Sequence, residues 1–284
     1  MLRFALLALV IGVAGCDGTT GTLVKLVGAE PDSSPTAAPH IDAGAVSSSP
    51  LSATAWQIQL SGTLDTTIDV GWYEVDFDTD ASTIAALHAR GRTVSCYVSA
   101  GTDEAWRDDS ADFPASAVGN ALSDYSREHW VDVRDATVRS VNQRRLSLAR
   151  TRGCDGVELS NIQGHTVDSG FPLTAADDLA YARFLLGVAH GEGLTAGVSS
   201  DDLVGSLAPE MDWGLTEECL SYGTCDAWRT LVDAHKAVFM IEYGSAVDAP
   251  VLCPQAAALG FSLVIKRSSL DAFRVGCGLA DGGQ

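Results

Sequence analysis

The stretch "GCDGVELSNIQG", residues 153–164, decides the fold. It passes from two glycines through the apolar core "VEL" into a polar loop. An apolar run this short, bounded by glycine and polar residues, reads as a buried strand rather than a helix. Its far end carries Glu158, Ser160, Asn161 and Gln163. Strand ends of this kind hold the chemistry in parallel α/β folds. Glu158 and Ser160 share pleat parity, so one face of the strand carries both.

Seven more segments repeat the pattern. They are "WQIQL" (56–60), "DVGWYEVD" (69–76), "RTVSCYVS" (92–99), "LTAGVS" (194–199), "DWGLT" (212–216), "KAVFMIEY" (236–243) and "FSLVIK" (261–266). Helical signals fall between most of them. Asp80 is placed to cap a helix carrying Ile84, Leu87 and His88, which Gly91 can end. Val138, Val141, Arg145 and Leu148 keep a 3–4 spacing before Gly153. Thr174 and Asp177 open "LAYARFLLGVAH", which Gly191 and Gly193 close, and Asp226 and Asp248 have the look of caps for the next two helices. Alternating strands and helices argue for a parallel sheet, and eight units argue for a (β/α)8 barrel, an α/β fold in one domain over residues 51–284. A doubly wound open sheet is the alternative, though no GxGxxG follows the first strand.

The chain of 284 residues starts with a targeting pattern. "MLRF" supplies a basic residue, "ALLALVIGVAG" a short apolar core, and Cys16 follows at once. Such a core is too short to span a bilayer and reads as a signal peptide over residues 1–15. "VAGC" fits a bacterial lipobox, with cleavage before Cys16 and lipid on its thiol; an ordinary secretory signal containing a cysteine is the alternative. Residues 16–50 are the lipidated cysteine and a Gly-, Ser-, Thr-, Pro- and Ala-rich tether that lacks the apolar surface to fold. The expected location is the cell envelope, with membrane contact through the lipid anchor.

Export makes disulfides the first reading of Cys96, Cys154, Cys219, Cys225, Cys253 and Cys277. Cys219–Cys225 would staple a loop, Cys253–Cys277 would staple the C-terminal region, and Cys96 and Cys154 could face each other on neighbouring strands. Zinc is the rival reading, but no paired CxxC is present and the histidines are scattered, so neither metal nor cofactor is expected. The formal charge of −19 argues against nucleic acid as a partner. It serves solubility or attracts a cationic ligand.

In a barrel, the acids following each strand gather on one rim. Strand two supplies Glu74 and Asp76, strand three leads to Asp103 and Glu104, and strand four ends in Glu158. Strand five leads to Asp201 and Asp202, strand six ends in Glu217 and Glu218, and strand seven in Glu242 and Tyr243. Paired carboxyls across a sugar-sized cleft hydrolyse glycosides: one protonates the leaving oxygen, the other attacks or activates water. The alternative for each acid is a helix cap or a partner for Arg107, Arg134 or Lys236. Trp56, Trp72, Tyr73, Tyr97, Trp106 and Tyr222 either stack on sugars near this rim or belong to the core.

At these residues the chain resembles glycoside hydrolase family 114, the endo-α-1,4-polygalactosaminidase family. The stretches that carry the resemblance include "WQIQLSG", "EVDFDT", "CYVSAGTDEAWRDDSADFP", "EHWVDVR", "RGCDGVE", "SGFPLTAADDLAYARFL" and "EECLSYGTC", over about residues 55–270. The resemblance implies a (β/α)8 barrel acting on galactosamine-containing, cationic exopolysaccharide. It implies that the family's strand-two acid is Asp76 and that its strand-six catalytic glutamate, in an N-E-Q-C pattern, is Glu217 in "TEEC". The family's strand-four pattern G-C-D-G-V-E-P-D-N-V-D reads "GCDGVELSNIQ" here. Glu158 and Asn161 are kept, Ser160 stands where the second catalytic aspartate is expected, and Gln163 replaces a later aspartate. After strand five, G-L-K-N-D reads "GVSSD": Ser199 and Ser200 replace lysine and asparagine, and Asp201 is retained. The expected catalytic set is therefore Glu217, Glu158 and Asp76, with Ser160, Asn161, Asp201, Tyr97, Glu242 and Tyr222 binding substrate. Three readings follow: a lipid-anchored glycosidase with a relocated acid, a silent barrel that binds a cationic polysaccharide, or a structural envelope protein.

Overall fold

The computed structural model of this chain describes residues 54–277. The signal sequence, Cys16 and the tether lie outside the described residues. Eight parallel strands form the wall, in the order of the sequence. They are strand one (Trp56–Gln59), two (Trp72–Asp76), three (Thr93–Ser99), four (Gly156–Ser160), five (Thr195–Val198), six (Trp213–Glu217), seven (Ala237–Tyr243) and eight (Ser262–Lys266). All eight expected strands are present, and each pairs in parallel with its sequence neighbours from one through eight. This is the (β/α)8 barrel rather than an open doubly wound sheet.

Closure uses the C-terminal segment. Val275–Gly276 pairs antiparallel with strand eight. From there Arg274 Nε donates to Trp56 O (2.7 Å) on strand one. Trp56 Nε1 donates directly to Ser262 O at 2.7 Å. Lys266 Nζ donates to Gln57 Oε1 and Asp271 O across the same seam, and burial pulls its pKa down to about 8.

Alternation along the strands separates two cores. Trp56, Ile58, Trp72, Trp213, Leu215, Phe239, Ile241 and Val264 fill the barrel. Phe239 sits 4.8, 5.1 and 5.7 Å from the rings of Trp56, Trp72 and Trp213. Gly197 makes room for this plug, because a Cβ there would lie 2.6 Å from the Trp213 ring. Trp56 and Trp72 are thus interior packing rather than rim residues. Tyr73 also leaves the rim: it packs in the outer core, its hydroxyl donating to Ile68 O.

The outer core lies between the wall and the helices. Helix Ala136–Arg152 is capped by Asp135, which accepts from Thr137 N and Val138 N, and ends at Gly153 with φ 104°. Helix Ala175–Gly191 carries the expected Thr174–Asp177 capping box. Other expected boundaries differ. Helix Ala81–His88 stops before Gly91, and Asp80 precedes it without a side-chain bond. Asp226 lies within the 3-10 turn Cys225–Trp228 rather than capping helix Arg229–Asp233. Asp248 precedes helix Ala249–Leu259 and bonds back to Ser245 instead. Among the described residues no helix separates strands one and two, and none is long and apolar enough to cross a membrane.

A repeated clamp ties the bottom of the barrel. His88 and Asp155 are 2.9 Å apart, and the same carboxylate oxygen accepts from Val94 N of strand three. His190 and Asp212 repeat this, with Ala196 N of strand five. Between strand three and helix Ala136–Arg152 the chain makes an excursion absent from the sequence expectation. It is a three-stranded antiparallel sheet of Thr102–Glu104, Val118–Ala121 and Glu128–Val131.

All three disulfides pair as expected: Cys96–Cys154, Cys219–Cys225 and Cys253–Cys277. The first joins strand three to the start of strand four across 58 residues of chain, the second closes only 6. Loop-closure entropy makes the longer link the more stabilising, by about 4 against about 2 kcal/mol. Denaturant unfolding is expected to show a larger loss of stability for C96A/C154A than for C219A/C225A; equal losses would contradict this account.

Candidate active site

The carboxyl ends of the strands open into a cleft of three lobes, of about 380, 490 and 380 Å³. Asn161 borders all three, and Ser160 and Glu217 border two. The backbone explains this position. Asn161 adopts φ 60°, a conformation asparagine tolerates better than most residues. Its carbonyl presses against Gly101, where a Cβ would come within 1.7 Å of the oxygen. Ala100 N and Gly101 N both donate to Ser160 O, which fixes the end of strand four.

Glu217 closes strand six and opens onto the cleft. The Tyr243 hydroxyl donates to its Oε2. Crowding by protein raises its pKa, the Tyr243 bond opposes that, and the Glu218 charge adds to it. Glu158 lies one pleat below Ser160 and is 1% exposed, yet it still borders the cleft. Burial pushes its carboxyl up to about 8, the bond from Ser199 opposes this, and the Glu217 charge reinforces it. The Ser199 hydroxyl lies 2.6 Å from Glu158 Oε1 and 3.0 Å from Ser160 Oγ.

Glu74 lies deeper still. It is fully buried, and among the described residues neither carboxyl oxygen has a hydrogen-bond partner. Desolvation, and then the neighbouring Glu158, hold its pKa well above the usual carboxylate range.

The remaining expected residues separate. Asp76 borders the cleft, but its two oxygens accept from Arg107 Nη1 and Nη2 at 3.0 and 2.8 Å. Arg107 also pairs with Glu104 and Asp78. Burial raises Glu104 to about 7 against the pull of Arg107. Asp201 borders one lobe and accepts from Trp228 Nε1 at 2.6 Å. Tyr97 and Trp106 line the lobe that holds Glu158. Two residues are not brought to the cleft wall. Glu242 shares parity with the outward Val238 and Met240, and accepts from Leu220 N and Ser221 Oγ to fix the short helix Cys219–Tyr222. Tyr222 stands 73% exposed on that helix. Strand parity alone separates Glu242 from Glu217 and Tyr243, and that signal was present in the sequence.

The excursion contributes what the sequence reading missed. Glu128 accepts from Ser99 Oγ (2.9 Å), Thr102 Oγ1 (2.6 Å) and Asn161 Nδ2 (3.2 Å), and it faces the cleft. Tyr125, 55% exposed, and Leu122 line two lobes. Glu128 follows no barrel strand, so the strand-end rule could not find it.

An acid-lined mouth on a closed (β/α)8 wall defines the class to which many glycoside hydrolases belong. Residues 36–280 match the model of glycoside-hydrolase family GH114, and the chain belongs to that family. It is similar to Ega3 of Aspergillus fumigatus, solved in complex with galactosamine. The two share 35% identity over 81% of this chain and 97% of that one, with a TM-score of 0.77. The glycoside hydrolase domain of PelA from Pseudomonas aeruginosa shares the fold at 13% identity. That match covers 78% of this chain and 97% of the PelA chain, with a TM-score of 0.62. Among curated proteins, none matches this sequence.

The raised Glu158 pKa sets a pH dependence. Its folded value, about 8, exceeds that of an unfolded glutamate, about 4.3. The stability of the neutral buried form is complete below about pH 4.3 and is lost as pH climbs toward 8, at up to about 1.4 kcal/mol per pH unit. E158Q is expected to flatten the fall in unfolding free energy between pH 5 and 7.5, measured by urea titration. An unchanged slope would count against the buried, protonated state.

Proposed function

We propose that this protein is a glycoside hydrolase acting on a cationic, galactosamine-containing polysaccharide. The supporting observation is the pairing of Glu158 and Glu217 on one cleft in unlike environments. Glu158 is buried and holds its proton at neutral pH, as a general acid must. Glu217 opens to the cleft, and the Tyr243 hydroxyl favours its charged form. One group protonates the leaving oxygen while the other provides the carboxylate for attack or for activating water. Asp76, held by Arg107 through both oxygens, supports the wall rather than the bond-breaking step.

The substrate class rests on charge and kinship. Glu104, Glu128, Glu217 and Asp76 face the same lobe, and the chain carries a charge of −19. A polymer with free amino groups suits that field. The similar Ega3 structure contains galactosamine. The lipobox at Cys16 supports a lipid-anchored envelope location, with the following residues as a spacer.

One observation favours a second reading, in which the groove binds the polymer without cleaving it. Ser160 stands where the family pattern carries an aspartate, and a serine hydroxyl is no substitute for a carboxylate without activation.

Partly deacetylated galactosamine polymer offered to the purified protein is expected to yield new reducing ends. E217Q should lower their rate by about a thousandfold or more. S160D should raise cleavage by placing a carboxyl at the cleft surface. Binding with no new ends from the wild-type protein would select the groove-binding reading.

A further inference from the structure

Glu158 presents a problem of reach, since at 1% exposure it touches the cleft without projecting into it. Two hydroxyls bridge that gap. Ser199 Oγ is 2.6 Å from Glu158 Oε1, and Ser160 Oγ is 3.0 Å from Ser199 Oγ. Ser160 then borders two cleft lobes beside Glu217. We propose, resting on the hydrolase reading above, that Ser199 and Ser160 form a hydroxyl relay carrying the catalytic proton from Glu158 to the leaving oxygen of the substrate.

The direction of the bonds follows from proton counting. A hydroxyl has one proton to donate. With Glu158 protonated, Ser199 accepts from it and donates outward to Ser160, whose own proton points to the cleft. In the reaction the Glu158 O–H bond breaks as Ser199 takes that proton. Ser199 passes its original proton to Ser160, and Ser160 passes its own to the glycosidic oxygen as that oxygen leaves the anomeric carbon. Both serines end as neutral hydroxyls, and the net change is one proton from Glu158 to the leaving group. Glu217 supplies the electron pair to the anomeric carbon, directly or through a water that it deprotonates. The proton returns to Glu158 from the incoming water. No other co-reactant is needed.

The surroundings favour a proton on Glu158. Glu74 from strand two, Tyr97 from strand three, Glu217 from strand six, and Glu104 and Glu128 from the antiparallel excursion face the same interior. Arg107, which bonds Glu104 of this group, is also committed to Asp76 and Asp78. The relay needs both hydroxyls in place. Ser160 without Ser199 has no link to the buried acid. Ser199 borders one lobe itself, and Ser160 extends the chain to a second lobe that Glu217 also borders.

The test compares wild type, S199A, S199T and S160D/S199A on partly deacetylated galactosamine polymer, with kcat and KM measured separately. The expected result is a fall in kcat of about a hundredfold or more for S199A with KM little changed. S199T, which keeps the hydroxyl, should retain most of the wild-type rate. S160D/S199A should recover activity, because a carboxyl at the surface bypasses the chain and shows that the S199A scaffold is intact. An active wild type with an equally active S199A overturns the relay and leaves the hydrolase reading standing. Loss in S199T as well, with no recovery in S160D/S199A, also overturns it and assigns Ser199 a packing role. A wild type without turnover overturns both.

Discussion

The alternation of a parallel strand is the constraint on which the rest depends. In a closed barrel every second residue must enter a space the helices never reach. The lower layers of that space are filled by the Trp56, Trp72, Trp213 and Phe239 rings, packed to 4.8–5.7 Å. The same parity continued upward delivers Glu74, Glu158 and Glu217 to one column of increasing exposure. Glu74 and Glu158, placed low in it, lose water on most sides. Their pKa values rise for that reason first, and a neighbouring charge adds to it, Glu158 acting on Glu74 and Glu217 on Glu158.

Acidic enrichment of this kind needs rigid support, because each buried charge opposes folding. Support comes from outside the column. The Cys96–Cys154 link joins the neighbouring strands three and four, and Ser160 O is held by Ala100 N and Gly101 N. The His88–Asp155 and His190–Asp212 clamps hold strands three and five at the opposite end. The C-terminal segment, tied by Cys253–Cys277, covers the seam between strands eight and one. The acid column therefore sits on fixed walls, and Asn161 and Glu218 take positive φ just past strands four and six. That backbone strain lies where strands end and the cleft begins.

Ser160, at the upper end of strand four, continues the inward face that carries Glu158. Ser199 and Ser200 follow the end of the neighbouring strand five. The result is a run of neutral hydroxyls between a buried acid and open space.

Much of this was legible in the sequence. Eight apolar stretches gave the strands, Thr174 with Asp177 gave a helix start, and the spacing of six cysteines suggested all three links. These are local or periodic signals, set by pleat, capping and chain distance. The sequence also brought Glu158, Glu217 and Asp76 forward as acids at strand ends. Their unequal standing was decided only by tertiary structure. Arg107 reaches Asp76 from a loop 31 residues away, and Glu128 enters from a sheet that interrupts the barrel pattern. Trp56 and Trp72 look like sugar platforms in one dimension and become interior packing once the sheet curves. Desolvation, which lifts Glu158 and Glu74, depends on atoms contributed by every neighbouring strand, and no stretch of sequence contains it.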